Sequence, residues 1–244
     1  MKPLFRTATA IATILLAGTA MTPAFAQGYD LFSGPTGYQA GDIMTHLSII
    51  GVIPQNMDSH VNSPALGVTA NGGTRLGISS GVSPELSASY FVTPNLSFQL
   101  IAATSRHTIT VRGGQVGHLV GNQTLGSTWV LPPTLTAQWH FPQIGVIRPY
   151  VGIGITVAFF YGTSPSADIN AALGLKGTDK LGLRTAVGPS FDAGFDVPIQ
   201  GNWSANVDVK QMILPTAARL DHGAVHAMTG LNPTVVGFGV GYKF

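Results

Sequence analysis

Two histidines have the spacing of a metal site. His222 and His226 lie four positions apart, with Asp221 adjacent, and on a helix this spacing would place both imidazoles on one face, as zinc ligands require. The segment contains Gly223 and has no firm helical pattern. We therefore interpret these residues as polar loop residues, with metal binding as the less favoured alternative. Because the sequence contains no Cys, thiolate zinc sites, iron–sulfur clusters, disulfides and Cys nucleophiles are excluded.

The signatures of catalysis are weak. The sequence has no G-x-S-x-G motif, and a Ser/His/acid triad cannot be placed from spacing alone. The alternating glycines of 237–241 lie in a predicted strand with no helix after it, so they do not form a phosphate-binding loop. We expect these glycines to leave room inside the protein, and we predict no catalytic site, metal or cofactor.

Other polar side chains that could do chemistry lie in segments where apolar and polar residues alternate. In 134–141, Gln138 and His140 alternate with Trp139 and Phe141. A period of two indicates a β-strand with two different faces. By the same parity four further residues belong to the polar face of their segments: His46, Asp192, Asp208 and Lys210. Their role depends on the class of protein that positions them.

The composition limits that class. Charged residues make up 9% of the 244 residues and the mean hydropathy is +0.30, whereas a typical soluble domain has about 25% charged residues. A soluble globule of this composition would expose large apolar patches. Disorder is also excluded, because 45% of the residues are hydrophobic and the net charge is small. A membrane protein or an unusual fibrous assembly remains.

The N-terminus predicts export. Lys2 and Arg6 precede the short apolar stretch 7–21, and Ala24-Phe25-Ala26 forms a cleavage motif. These features are typical of a secretory signal peptide, which we place at 1–26. Its removal takes 2 of the 12 basic residues and leaves 10 against 10 acidic ones. The remaining cations are scattered, so we expect no nucleic-acid partner.

The exported part of the chain predicts a membrane β-barrel. It has no run of 18 apolar residues, and a closed barrel is the other structure that satisfies its backbone polar groups in lipid. We expect apolar side chains to face lipid and small or polar ones to face the lumen. The predicted strands are eight alternating segments: 42–53, 84–92, 96–104, 134–141, 147–161, 190–197, 203–213 and 234–244.

The connections between these strands alternate in length. Short turns are predicted at 93–95, 142–145 and 199–202, and long connections at 54–75, 112–130, 162–181 and 218–231. This pattern is typical of an all-β, eight-stranded antiparallel transmembrane barrel with short periplasmic turns and four long extracellular loops. We place a periplasmic leader at 27–40 and the barrel at 41–244.

The chain resembles the OmpW family of small outer-membrane barrels, which includes AlkL-type alkane-uptake proteins. The resemblance rests on the segments 131–135 (LPPTL), 138–141 (QWHF), 148–154 (RPYVGIG), 202–209 (NWSANVDV), 232–233 (NP) and 237–244 (GFGVGYKF). The family usually has an acid at the position of Gln99 and an Arg at that of His46, and it has a Pro in the run that reads 102–107 (AATSRH) here. We count Gln99 among the lumen-lining candidates, and these departures concern the charge of the lumen and the second long loop.

The resemblance implies passive uptake of small hydrophobic molecules across the outer membrane of a Gram-negative bacterium. The family's proposed route runs from an extracellular funnel through an apolar lumen to a side opening. Apolar residues of the long connections, such as Leu66, Val68 and Leu119, would line that funnel. The rival functions are a non-transporting barrel that binds a partner or braces the envelope, and a less favoured lipid A-modifying enzyme. For the polar lumen residues, structural bracing is favoured over a transport path, with catalysis last.

The C-terminus carries one further signal. Phe238, Val240, Tyr242 and Phe244 alternate up to the last residue. The pattern resembles the signal read by the outer-membrane insertion machinery, although a terminal aromatic residue can also serve as an interfacial anchor. The partners predicted for the chain are therefore outer-membrane lipids, the insertion machinery during assembly, and small hydrophobic solutes.

Overall fold

The computed structural model describes residues 37–55, 60–62, 75–113, 124–166, 181–220 and 225–244. The predicted signal peptide and most of the leader lie outside these residues. The described residues form fifteen β-strands: β1 (Ile43–Ile53), β2 (His60–Asn62), β3 (Arg75–Ile78), β4 (Gly81–Phe91), β5 (Leu96–Ala103), β6 (Ser105–Arg112), β7 (Thr124–Leu131), β8 (Thr134–His140), β9 (Arg148–Pro165), β10 (Leu181–Leu183), β11 (Ala186–Pro198), β12 (Trp203–Met212), β13 (Pro215–Leu220), β14 (Val225–Gly230) and β15 (Thr234–Lys243). In the described ranges, no helix has the length and hydropathy needed to cross a membrane.

Eight of the strands close into an antiparallel barrel. Their order is β11-β12-β15-β1-β4-β5-β8-β9, and β9 pairs back onto β11 from Arg148–Asp196 to Ala158–Ala186. Closure pairs every barrel strand with two neighbours, so the barrel has no free edge. The all-β, eight-stranded prediction is confirmed, and each predicted strand overlaps one barrel strand.

The two faces of the barrel follow the predicted parity. On β8, Leu135 and Trp139 are about half exposed, whereas Thr136 and Gln138 are buried. Successive side chains of a strand point to opposite sides, so the apolar residues lie outside and the polar residues inside. An apolar outer surface around a polar interior is the arrangement of a barrel in lipid.

At the end of the barrel opposite the short turns, strands extend beyond the barrel and form two separate sheets. One contains β3, β6, β7 and the distal part of β9, and the other contains β10, β13, β14 and β2. Parts of the predicted long connections are strands in the structure, for example residues 124–130 and 225–230. Each of these segments pairs on one side with a strand that is not its neighbour in the sequence, β7 with β9 and β14 with β2, and such context-dependent pairing leaves only a weak local pattern.

The division into two sheets begins where barrel pairing stops. The β9–β11 ladder ends at Ala158–Ala186, after which β9 pairs with β7 and β10 pairs with β13. On the far side of the barrel, the β1–β4 ladder ends at Val52–Gly81. Among the described residues no ladder joins β9 to β10 or β2 to β3. Between the described strands, the wall above the barrel therefore has two seams without backbone pairing.

Candidate functional site: the barrel interior

The seven predicted lumen residues all have buried side chains in the barrel interior: His46, Gln99, Gln138, His140, Asp192, Asp208 and Lys210. Five strands contribute them, with two each from β8 and β12 and one each from β1, β5 and β11, and β4 and β9 add further polar groups. Six of them belong to three clusters of hydrogen-bonded side chains, and His140 belongs to an aromatic layer.

The first group crosses the middle of the barrel. Gln138 donates from Nε2 to Oε1 of Gln99 at 3.0 Å and to Oδ2 of Asp192 at 2.6 Å. Gln99 in turn donates to the hydroxyl of Ser87 at 3.3 Å. Side chains from β4, β5, β8 and β11 therefore meet across the lumen, and the space between these walls is occupied by the side chains themselves.

The second group is an ion cluster around Lys210. Its ammonium lies 3.2 Å from Oε1 of Glu85 and also contacts Oδ1 of Asp208. Tyr150 donates to the other Asp208 oxygen at 3.1 Å. A buried cation with two carboxylates is stable only when its partners are well placed. The cluster links β12 to β4 and β9, which is a bracing arrangement.

The third group lies at the end of the barrel that carries the short turns, which is the periplasmic end in bacterial outer-membrane barrels. His46 Nε2 lies 2.9 Å from Oδ1 of Asp196. Asn206 donates to the same oxygen at 2.9 Å, and Tyr38 donates to the other at 2.7 Å. Burial, together with the Asp196 carboxylate, raises the pKa of Tyr38 well above its usual value, so the hydroxyl stays protonated and donates.

Two carboxylates of these groups, Asp196 and Glu85, are not among the predicted lumen residues. Asp196 has the inward parity of Asp192, four positions before it, and Glu85 alternates with the outward Leu86. Strand parity alone would have found both. Tyr38 had no such signal, because it precedes the first strand and enters the interior from a turn.

Aromatic side chains fill the periplasmic end. The ring of Tyr38 stacks on Phe91 with centroids 4.1 Å apart, and His140 packs against both rings at 5.1 and 4.7 Å. Tyr150 lies 5.3 Å from His140, and the guanidinium of Arg148 lies 5.4 Å from the Tyr38 centroid. His140 is fixed by a 2.9 Å hydrogen bond between its Nε2 and the Ser97 hydroxyl. These residues form an aromatic layer below the polar groups.

The opposite end of the barrel interior is apolar. Its buried members come from five strands or their ends: Ile50, Ala158, Ala186, Met212, Leu214 and Val235. Partly buried side chains pack around them, including Ala103, Val130 and Phe160. We call this set the apolar layer. It lies at the height where the β9–β11 pairing stops.

The inward glycines do not leave the open space that we expected. A Cβ on Gly239 would lie 2.6 Å from the Leu47 carbonyl oxygen and would overlap the Ser48 side chain. A Cβ on Gly154 would lie 2.5 Å from the Leu135 carbonyl oxygen. These positions instead let neighbouring strands and their side chains approach closely.

The metal hypothesis gains no support. His226 lies on strand β14, where the helical spacing argument does not apply, and Asp221 and His222 lie outside the described residues. In the part of the chain that the structure describes, no three His, Asp or Glu side chains are grouped as metal ligands.

The proposed assembly residues lie on the outer surface. Phe238, Val240 and Phe244 are exposed and Tyr242 is partly exposed. Tyr242 packs edge-on between Trp203 and Phe244 at centroid distances of 4.9 and 4.8 Å. This aromatic cluster lies at the periplasmic end, where lipid headgroups meet the hydrocarbon. Its role as an assembly signal stays a prediction.

Comparisons with known proteins agree with this architecture. The OmpW family model matches residues 39–244. Outer membrane protein W of Vibrio cholerae is 31% identical over 88% of this chain and 94% of that protein. The uncharacterised outer-membrane protein y4mB of Sinorhizobium fredii is 36% identical over 70% of each chain. Both relatives are named as membrane proteins.

Solved structures show the same fold. OprG from Pseudomonas aeruginosa superposes with a TM-score of 0.75 at 23% identity, covering 86% of this chain and 98% of OprG. AlkL in lipid bilayers gives 0.61 at 19% identity, covering 92% and 97%. The likeness in sequence over nearly the whole barrel and the likeness in fold lead to one conclusion: the chain is an outer-membrane protein of a Gram-negative bacterium and belongs to the OmpW family.

Proposed function

We propose that this barrel mediates passive uptake of small hydrophobic molecules across the outer membrane. The observation that carries the proposal is the order of the interior: an apolar layer lies above filled polar and aromatic layers. An apolar molecule gains free energy by leaving water for the apolar layer. It loses free energy if it displaces the hydrogen-bonded groups below, because those groups would be buried without partners.

The proposed exit is sideways, through the wall above the barrel. Ala158 and Ala186 are buried members of the apolar layer, and they are also the last residues paired between β9 and β11. Above them β9 and β10 pair with other strands. A molecule in the apolar layer would therefore lie beside a seam at which the described parts of β9 and β10 share no ladder.

The same arrangement would exclude charged solutes. An ion entering the apolar layer loses its hydration and finds no fixed partner there, which costs several kcal/mol. The axial path below is closed by the polar groups and the aromatic layer. An eight-stranded barrel is in any case only about wide enough to be filled by its own side chains, so bulk flow of polar solutes is not expected.

The test is an uptake assay in proteoliposomes. We expect a small alkane or monoterpene to enter faster than into empty liposomes, with little dependence on salt, whereas a charged sugar phosphate of similar size does not. Substitution Ala186→Phe, which would fill the apolar layer beside the seam, should remove most of the acceleration. Ala193→Phe is the matched control, because Ala193 is exposed on the outer face of the same strand.

The rival is a non-transporting barrel that braces the envelope or binds a partner, and the filled interior is the observation in its favour. If the folded protein gives no acceleration for the apolar solute, uptake is refuted and this rival leads. If Ala186→Phe and Ala193→Phe behave alike, uptake does not pass the seam between β9 and β10.

A further inference from the structure

A short turn before the first strand carries Tyr38 into the barrel. Gly37 and Gly41 have φ of 133° and 95°, backbone conformations that favour glycine. Directly after Gly41, the Asp42 carboxylate accepts from the Gln39 backbone N–H at 2.9 Å and from the Lys243 ammonium at 3.1 Å. The turn is thus anchored to the C-terminal strand, and it is also joined to β4 through backbone bonds between Gly41, Asp42 and Phe91.

The Tyr38 side chain completes the aromatic layer. Its ring lies between Phe91, His140 and the Arg148 guanidinium, and only 8% of the residue is exposed. The other described members of this layer are carried by barrel strands β4, β8 and β9. Tyr38 is therefore the member that can leave without opening the barrel wall.

The groups that the Tyr38 ring covers are polar and charged, so they interact favourably with water. The Asp196 carboxylate accepts the Tyr38 hydroxyl, and His46 lies on the other carboxylate oxygen. Charged and polar groups of this kind are solvated readily once an apolar cover is removed. Loss of the ring would thus replace a packed contact with a polar opening that leads toward Asp208 and Lys210.

We propose that Tyr38 is a stopper inserted by the N-terminal leader into the periplasmic mouth. By closing the axial exit, it makes the lateral seam the route for a solute that reaches the apolar layer. This consequence for the route rests on the proposed uptake function, whereas the sealing of the mouth does not depend on it.

The seal can be measured by thiol accessibility, because the chain has no natural Cys. Ser89 is one inward position deeper than Phe91, is 2% exposed, and its hydroxyl has no hydrogen-bond partner among the described residues. Ser89→Cys is therefore a nearly isosteric reporter. The purified full-length barrel in detergent micelles would be treated with a positively charged thiosulfonate, and the labelling rate measured by mass spectrometry.

We expect Ser89→Cys alone to be protected and Tyr38→Ala to raise its labelling rate about tenfold or more, since access no longer needs a local opening. Tyr38→Phe should stay protected, because the ring is retained. Tyr90→Ala is the matched control, since Tyr90 neighbours Phe91 but is 52% exposed on the outer face. Asp42→Ala, which loosens the turn without entering the lumen, should give intermediate labelling even if Tyr38→Ala folds poorly.

The proposal is overturned if the introduced thiol is labelled equally slowly in the folded Tyr38→Ala and Tyr90→Ala variants of Ser89→Cys. It is also overturned if Ser89→Cys alone is labelled as fast in the folded barrel as in the protein unfolded by urea. The folded state of each variant is checked by the gel mobility of unheated samples. Uptake of an apolar solute by Tyr38→Ala proteoliposomes separates the two proposals. If labelling rises while uptake was never accelerated, the stopper stands and the uptake function fails.

Discussion

Alanine at Gly239 is expected to destabilise the barrel. Gly239 on β15 lies opposite Ser48 on β1, and an added Cβ would lie 2.6 Å from the Leu47 carbonyl oxygen. Rotation of Ser48 could relieve its own overlap, but the carbonyl belongs to a strand that is paired on both sides. The two backbones must therefore move apart.

The magnitude follows from this forced displacement. Inserting one carbon into a well-packed interior typically costs about 1–3 kcal/mol. A loss of about 2 kcal/mol would lower the ratio of folded to unfolded protein by about thirtyfold. Gly51→Ala is the matched control on the neighbouring strand, because its Cβ would meet only the Val236 carbonyl oxygen at 3.9 Å. That variant should be unchanged or slightly more stable.

Urea unfolding from lipid vesicles measures the difference. Trp139 and Trp203 are about half exposed on the outer surface of the barrel strands, so their fluorescence reports the loss of contact with lipid. We expect the free energy of unfolding to fall for Gly239→Ala and not for Gly51→Ala. Equal unfolding curves for Gly239→Ala and the unmodified protein would refute the reasoning that this position lacks room for a methyl group.

Three further predictions concern the wall and the interior. Val240→Arg on the lipid face should cost about 2–4 kcal/mol and prevent stable insertion, and folding yields equal to those of Val240→Leu would contradict the assigned parity. Deletion of Phe244 should reduce assembly in cells more than refolding in detergent, and an equal loss in both would make it only an interfacial anchor. Lys210→Met should lower the free energy of unfolding by about 3–5 kcal/mol, because it leaves Glu85 and Asp208 buried without their cation. Adding Glu85→Gln should recover part of that loss, and an unaltered unfolding free energy for Lys210→Met would show that the ion cluster does not brace the barrel.

The order of the interior also reconciles the proposed uptake with a filled lumen. The polar groups close the axis of the barrel, whereas the apolar layer and the seam lie above them. Under the proposed function, the solute therefore does not pass the layer formed by the polar lumen residues. On this proposal the polar lumen residues brace the barrel, and small apolar residues such as Ala158 and Ala186 line the transport path.

The class of protein and the inward or outward face of the barrel residues follow from local features of the sequence. Low charge, positive mean hydropathy and alternation are local properties, and a strand places successive side chains on opposite faces wherever it pairs. This is why the inward positions of Gln138 and Lys210 could be read from the sequence, and why the same rule extends to the overlooked Glu85 and Asp196.

Which of those inward residues contact one another depends on the tertiary structure. His46 and Asp196 are 150 positions apart and Lys210 and Glu85 are 125 apart, so their pairing depends on barrel closure and strand register. The strands beyond the barrel were missed partly for the same reason, since β14 also pairs with the distant β2 and β7 with β9, and their own alternation is weak. The insertion of Tyr38 was beyond local reasoning as well, because a turn carries it into a space that exists only once eight strands have closed around it.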